Sequence, residues 1–389
     1  MPLYPPVTDP KTIDWDNIPF DYVRTRSFIK YTWREGLWNE GELVTDGTLT
    51  MDVAATALHY GQSAFEGLKA FRMKDGKIRV FRPELNAHRL IKSCAATSMI
   101  PPTVDLFLLA LKRVIEDNID YVPPYESSGS LYIRPFVVGS GGQLGLSPAP
   151  EFYFCIFVNP VGDYYKGGMG NPVKALISHS FDRAAPHGTG AVKLGGNYAP
   201  AFLPSNAAKT RGYAVMLFLD PRTQTYIDEF ATSNFAALTA PNPSDKTRTY
   251  VTPKSPSVLP SVTNRSLTEL ARKHLGWHVE RRQISWEEVK QGKFEEMAAV
   301  GTAVVITPVE EVHREVVRAP REVKGLSTRD GVEDVWRDEE GDEEVEIDVA
   351  RASGKGGFLE LYRAYKALQR GELEGWERYG WMWPRDGIA

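Results

Sequence analysis

Lysine side chains usually stand in water as surface charges, and Lys193 sits in a setting that differs. It lies in HGTGAVKLGGNYAP, with Gly188, Gly190, Gly195 and Gly196 around it and Val192 and Leu194 beside it. Glycine lets a backbone approach a bound group closely and take conformations other residues avoid. An amine held there among apolar neighbours is desolvated, which lowers its proton affinity and makes it a nucleophile. The natural use of such an amine is a Schiff base to an aldehyde cofactor, and pyridoxal phosphate is the commonest. On spacing alone the other reading is a surface lysine in a glycine-rich loop. A pyridoxal site makes further demands. Its phosphate needs helix amides or an arginine, and SVTNRS (261–266) at a helix start and GTA (301–303) at a strand break offer them. Its ring nitrogen needs a carboxylate. Glu229 ends an apolar strand in YIDEFATSNF, where a carboxylate is otherwise costly. Taken alone, Glu229 reads as an ordinary strand-end charge.

The elements that must hold these groups alternate between strand and helix. After a Pro-rich arm over residues 1–20, KIRVFRP (77–83) reads as a strand and the PELNAHRLIKSCA stretch as a helix, with Leu85, Ala87, Leu90, Ile91 and Cys94 at helical spacing. VDLFLLALKRVIEDN (104–118) is a second amphipathic helix. SLYIRPFVVG and EFYFCIFVNP are strands flanking a Gly/Ser/Pro loop over 139–150. Further on, VKALISHS, YAVMLFLD, TYIDEF, NFAALTA and TRTYVTPK read as strands, and a helix is expected from Asn197 to Lys209. SVTNRSLTELARKHLG (261–276) is a helix with Ser/Thr cap candidates and a closing Gly276. EMAAVGTAVVITPVEEV is a strand pair broken at Gly301, and FLELYRAYKALQRGELEGW is a closing helix. Between them Asp330–Asp348 holds eleven carboxylates against Arg337 alone, which reads as a solvated, mobile surface insertion. The expected organisation is α/β with a small domain at 1–158, a linker at 159–172 and a large domain at 173–389.

Composition narrows the function. The 389 residues carry 46 Lys+Arg against 50 Asp+Glu, a formal charge of −4, so no basic stripe argues for nucleic acid. No apolar run approaches the roughly 20 residues of a membrane span. Cys94 and Cys155 form no CxxC pair, so neither a disulfide framework nor a metal site is expected. The first residues have no basic or apolar leader pattern, which gives a cytoplasmic expectation.

The chain resembles the branched-chain amino acid aminotransferases of the fold-type IV pyridoxal phosphate enzymes. The resemblance rests on ALHYGQSAFEGLKAFR (57–72), FRPELNAHRL (81–90), SLYIRPFVVG (130–139), GTGAVKLGGNY (188–198), IDEFATSNF, LPSVTNR (259–265) and VGTAVVITPV (300–309), in the family's order, with a weaker match in WMWP (381–384). It implies a two-domain D-amino acid aminotransferase-like fold, with pyridoxal 5′-phosphate at the domain junction. It also implies transamination between branched-chain L-amino acids and 2-oxoglutarate. By resemblance, Lys193 is the lysine joined covalently to the cofactor, Tyr198 bonds the ring oxygen, and Glu229 meets the ring nitrogen. Arg89, Val262, Thr263 and Thr302 match the phosphate grip. Tyr60, Phe65, Tyr132 and Tyr164 match the wall of the side-chain pocket, with Arg134 as the acceptor of a second carboxylate. Thr232 and Ala303 match the positions that meet the substrate α-carboxylate. Leu146 matches a residue that closes the neighbouring subunit's pocket, which implies a homodimer. Without the resemblance the aromatics read as core packing and Arg89 as a solvent-facing helix arginine.

Departures bear on the substrate. After Glu229 the chain reads Phe230 and Ala231 before Thr232 and Ser233; Ala231 replaces a glycine that family members usually carry close to the cofactor, and any substituent there is expected to narrow the pocket. Val304 and Val305 replace the redox CxxC of some animal members. The acidic insertion and FDRAAPHGTG resemble divergent fungal members. Alternatives of shifted specificity follow: an unusual amino acid of secondary metabolism, a D-amino acid or an (R)-amine. A pyridoxal lyase of the same fold and a catalytically silent binding protein complete the set.

Overall fold

Stretches rich in β-branched and aromatic residues pair into two sheets, each faced by helices with one apolar side. The computed structural model describes residues 5–162, 169, 171–317, 345–354 and 356–389. The first half runs β1 (Phe28–Arg34), β2 (Leu37–Trp38), β3 (Glu42–Val44), α1 (Thr56–Tyr60), β4 (Ser63–Phe65), β5 (Leu68–Arg72), β6 (Ile78–Phe81), α2 (Pro83–Ala95), α3 (Val104–Asp117), β7 (Ser130–Gly139) and β8 (Phe152–Val161). The second half runs β9 (Val173–Ile177), α4 (Phe202–Thr210), β10 (Val215–Leu219), β11 (Ile227–Phe230), β12 (Asn234–Leu238), β13 (Thr249–Pro253), α5 (Val262–Lys273) and β14 (His278–Arg282). It continues with α6 (Trp286–Lys290), β15 (Glu296–Gly301), β16 (Val305–Val317), β17 (Val345–Arg351), α7 (Gly357–Arg370) and β18 (Met382–Ile388).

The first sheet is ordered β18-β6-β5-β7-β8-β1-β2, with β3 on β1 and β4 on β7. Alternation along β7 decides which side chains do what. Leu131, Ile133 and Val137 enter a core with Leu90 and Cys94 of α2 and Phe107, Leu111 and Val114 of α3. Each large aliphatic side chain buried there stabilises by about 2 kcal/mol. With a period of two, Tyr132 and Arg134 necessarily face the other way.

The second sheet runs β11-β10-β9-β16-β15-β12-β13-β14, with β17 on β16, and β11 also pairs β12. That extra pairing, Glu229 opposite Asn234, closes six strands into a ring. Helices α5 and α7 cover it through Leu267, Leu270, Phe358 and Leu361, packed on Ala298, Val300 and Ile306.

Helix ends follow their capping chemistry. Thr103 caps α3 by accepting from Leu106 N, and Ser261 caps α5 by accepting from Asn264 N at 3.1 Å. Gly276 takes φ +67° just past α5. The strand break at Gly301 is a hairpin in which Gly301 pairs Val305 around a 302–304 turn. The helix expected from Asn197 starts later, at Phe202, because Gly195–Asn197 and Ala199–Ala201 form short 3₁₀ turns around Pro200.

Three placements differ from expectation. Strand β8 continues to Val161, beyond the expected edge at 158. The last strand leaves the 173–389 unit and joins the first sheet, pairing Met382 with Phe81 and Ile388 with Ile78. It gives β6 a second backbone neighbour, a long-range pairing for which no local sequence signal exists. Within the acidic stretch, residues 345–348 belong to β17 and pair with β16, Arg314 opposite Asp348, because Val345, Ile347 and Val349 supply β-branched alternation. Residues 330–344, like 163–168 of the expected linker, lie outside the described residues.

Candidate active site

Lys193 sits where the two halves of the chain meet. Its backbone N–H donates to Ser93 Oγ at 2.9 Å, its carbonyl accepts from Phe65 N at 3.1 Å, and Leu194 bridges Ala64. Ser93 Oγ in turn donates to Arg89 O at 3.0 Å, so α2 carries both the support for Lys193 and Arg89. The Lys193 amine donates to Tyr198 Oη at 2.9 Å and stands 4.5 Å from the centre of the Phe65 ring. Phe65 meets Tyr198 edge-on at 5.1 Å. The amine is therefore flanked by the Phe65 ring and the Tyr198 phenol, a setting suited to a nucleophile.

Glu229 lies on β11 of the second sheet. It is fully buried, accepting from Asn234 Nδ2 at 2.7 Å and from Leu259 N at 2.9 Å. Arg183 Nη2 stands 2.9 Å from its Oε1. Burial pushes the Glu229 carboxyl up to about 7, against the pull of Arg183 and the two hydrogen bonds. Asn264 Nδ2 donates to Asn234 Oδ1 and Thr252 Oγ1, which fixes Asn234 in turn.

The phosphate candidates cluster at the start of α5. Ser261 takes the amide of Asn264, while the amides of Val262 and Thr263 have no acceptor inside the helix. Arg89 is held by Glu66 through two 2.7 Å bonds, and its Nη1 donates to Pro260 O at 2.8 Å, two residues before Val262. Burial works against the Arg89 cation, but Glu66 outweighs it and holds the guanidinium above its ordinary value. Arg89 is thus no solvent-facing arginine, its side chain being 10% exposed. Thr302 and Ala303 form the turn between β15 and β16, where Lys69 Nζ donates to Ala303 O at 2.8 Å. Val305, a β-branched residue at φ +71°, ends that turn in a strained conformation fixed by the hairpin. Thr232 abuts the same turn, since a Cβ on Gly301 would lie 3.8 Å from Thr232 O.

On the substrate side, Arg134 Nη2 donates to Tyr132 Oη at 3.0 Å, and its guanidinium lies 5.1 Å from the Phe65 ring centre. Its Nε is buried with no partner among the described residues, so the guanidinium has a donor to spare. Gly67 permits this stance, because a Cβ there would collide with Tyr132 Oη. The remaining predicted residues are placed differently. Tyr60 is half-exposed and donates to Leu144 O, and Leu146 is 90% exposed, so neither joins Lys193 within one chain. Tyr164 lies outside the described residues. Ala231 packs against the apolar cluster of Leu176, Ala208, Met216 and Phe218.

Sequence reasoning missed Glu66, Arg183, Asn234, Lys69 and Ser93. Glu66, 0% exposed, carried a signal like that of Glu229, a carboxylate in an apolar stretch, here the link between β4 and β5. The others act through contacts between segments far apart in sequence.

The donor set matches pyridoxal phosphate. It offers an amine for the aldehyde, a phenol for the ring oxygen, a buried carboxylate for the ring nitrogen, and free helix amides near an arginine for the phosphate. Comparison with known proteins agrees. The sequence pattern described as amino-transferase class IV matches residues 63–312. The branched-chain-amino-acid aminotransferase of Helicobacter pylori is 44% identical over 302 residues, 78% of this chain and 86% of that one. Aminotransferase poxL of Penicillium oxalicum is 37% identical over 388 residues, 98% of this chain and 95% of that one. Among solved structures, the Escherichia coli branched-chain amino acid aminotransferase superposes with a TM-score of 0.67 at 25% identity, covering 90% of this chain and 98% of its own.

Proposed function

The chain belongs to the class IV aminotransferases, and on that footing we propose that it moves the amino group of a branched-chain L-amino acid to 2-oxoglutarate, yielding the 2-oxo acid and glutamate. The observation that carries this reading is the Lys193 amine, held between Tyr198 and Phe65 with a buried carboxylate and a helix start completing the cofactor's grip. Bound pyridoxal phosphate supplies an aldehyde to take the amino group and a protonated ring to draw charge off the substrate α-carbon. Lys193 Nζ would take the substrate α-proton as base and return it as acid. Tyr198 Oη accepts from that amine and orients it. Glu229 holds the ring proton. Val262, Thr263, Thr302 and Arg89 anchor the phosphate. Amides near Thr232 and Ala303 receive the α-carboxylate. Phe65 and Tyr132 exclude water around an apolar side chain, and the Arg134 guanidinium beside them receives the second carboxylate of glutamate.

The likeness to the Penicillium aminotransferase over nearly the whole chain favours one further reading, the same reaction on a different amino acid. A panel of amino donors with 2-oxoglutarate, both enantiomers included, separates the two. L-Leucine, L-isoleucine and L-valine forming glutamate fastest is the expected result. A preferred donor outside that set, or turnover without any 2-oxo acid, overturns the branched-chain assignment.

We also read the working form as a homodimer. Leu144 and Leu146 are each 90% exposed on a loop that Tyr60 pins, an apolar tip suited to a second copy's pocket. No described helix is long and apolar enough to cross a membrane. The two cysteines are buried and unpaired, which suits a reducing cytoplasm.

A further inference from the structure

Glu229 is backed by a cation that the proposed reaction has not used. Arg183 stands ten residues before Lys193 in the same loop, with its side chain 9% exposed. Its Nη2 is 2.9 Å from Glu229 Oε1, and the same nitrogen donates to Gly190 O at 3.1 Å and to Ser257 O. One guanidinium nitrogen therefore joins three segments: the loop that ends in Lys193, the 255–259 loop, and β11. The packing is tight enough to demand a glycine. A Cβ on Gly190 would sit 2.5 Å from Ser257 O and 2.7 Å from Arg183 Nη2.

A carboxylate removed from water takes up a proton unless something compensates its charge. Around Glu229 the Asn234 amide and the Leu259 N–H stabilise the anion, and Arg89 on α2 adds a more distant attraction. Asp228, its neighbour on β11, opposes it. Arg183 is the cation in contact. The balance is close, since burial already carries Glu229 up to about 7 with Arg183 in place. A neutral Glu229 cannot keep a proton on a ring nitrogen.

We propose that Arg183 is a positioning residue for the transamination, holding Glu229 in place as a carboxylate and locking it to the loop that presents Lys193. The proposal rests on the reading that Lys193 and Glu229 grip the two ends of the cofactor ring. It separates two roles that a single active-site knockout would merge: Lys193 attaches the cofactor, and Arg183 sets the charge opposite it.

The test compares purified wild-type, R183K, R183M, E229Q and R183M/E229Q holoenzymes. Borohydride reduction with peptide mass spectrometry reports attachment at Lys193. The visible absorbance of the bound cofactor and kcat/KM for leucine are followed against pH. The expected R183M protein carries the Lys193 adduct, and the acid limb of its pH profile moves up by about one unit or more, equivalent to about tenfold in proton affinity. R183K restores most of that shift, and the double variant turns over like E229Q, because Arg183 acts through the group already removed. An R183M profile that stays where the wild type has it overturns the proposal. So does a double variant about tenfold or more slower than E229Q. If R183M leaves an uncompensated buried charge and does not fold, the double variant has neither charge and carries the decision with R183K. A missing Lys193 adduct in the wild type is a different failure, that of the cofactor assignment itself.

Discussion

Lys193 and Arg134 divide the chemistry between reaction and selectivity, and their replacements should separate accordingly. Lys193→Ala removes the amine that Tyr198 and Phe65 hold, so kcat should fall by about 10⁴-fold or more. Steady-state turnover with leucine checks it, and residual activity near wild type contradicts the assignment. Arg134→Met removes a guanidinium whose buried Nε has no partner among the described residues. The KM for 2-oxoglutarate and glutamate should rise by about tenfold or more, the loss expected for a charge-assisted bond, while leucine changes by less than about threefold. Equal losses for all substrates would mean that Arg134 merely packs. Individual residues were readable in unequal degree. Lys193 and Glu229 were visible because a residue type and its neighbours conflicted, an amine among glycines and a carboxylate in an apolar strand. Arg183 and Ser93 gave no such conflict, since each acts on atoms supplied by a segment remote in sequence.

At the scale of elements, the site depends on helix starts and tight turns more than on the sheets' interiors. Ser261 caps α5 and orders the turn that presents Val262 and Thr263. Ser261→Ala should cost about 1 kcal/mol of stability and weaken cofactor retention, read by thermal unfolding with and without added pyridoxal phosphate. An unchanged melting curve in both states would show that the cap is dispensable. Gly190→Ala should destabilise by roughly 1–3 kcal/mol, because its Cβ would press on Ser257 O and on the Arg183 guanidinium. The positions of α3 and α5 followed from periodicity and capping, and the strand break at Gly301 from its glycine. What periodicity could not supply was pairing. The return of β18 to β6 and the closure of the second sheet at Glu229–Asn234 are long-range choices, fixed by which edges remain open after the local elements have formed.

Over the whole molecule, the site draws on both sheets, with Lys193 tied to the first through Phe65 and α2, and Glu229 belonging to the second. Burying Glu229 has a measurable consequence for the protein without cofactor. Its carboxyl rises from an ordinary 4.5 to about 7 on folding, so the folded state binds more protons than the unfolded state between those values. This group's contribution therefore favours folding at low pH and is lost as pH rises through that window, by up to about 3 kcal/mol. Comparing melting temperatures of wild-type and E229Q apoprotein from pH 5 to pH 8 isolates it from the other acids. The wild type should lose stability relative to E229Q as pH rises, and a constant difference would contradict the burial account. The central claim is still the covalent role of one amine. Reducing the purified, reconstituted enzyme with borohydride and mapping its peptides should place a single pyridoxyl adduct on Lys193. A colourless protein with that side chain unmodified, or an adduct on another lysine, would contradict it.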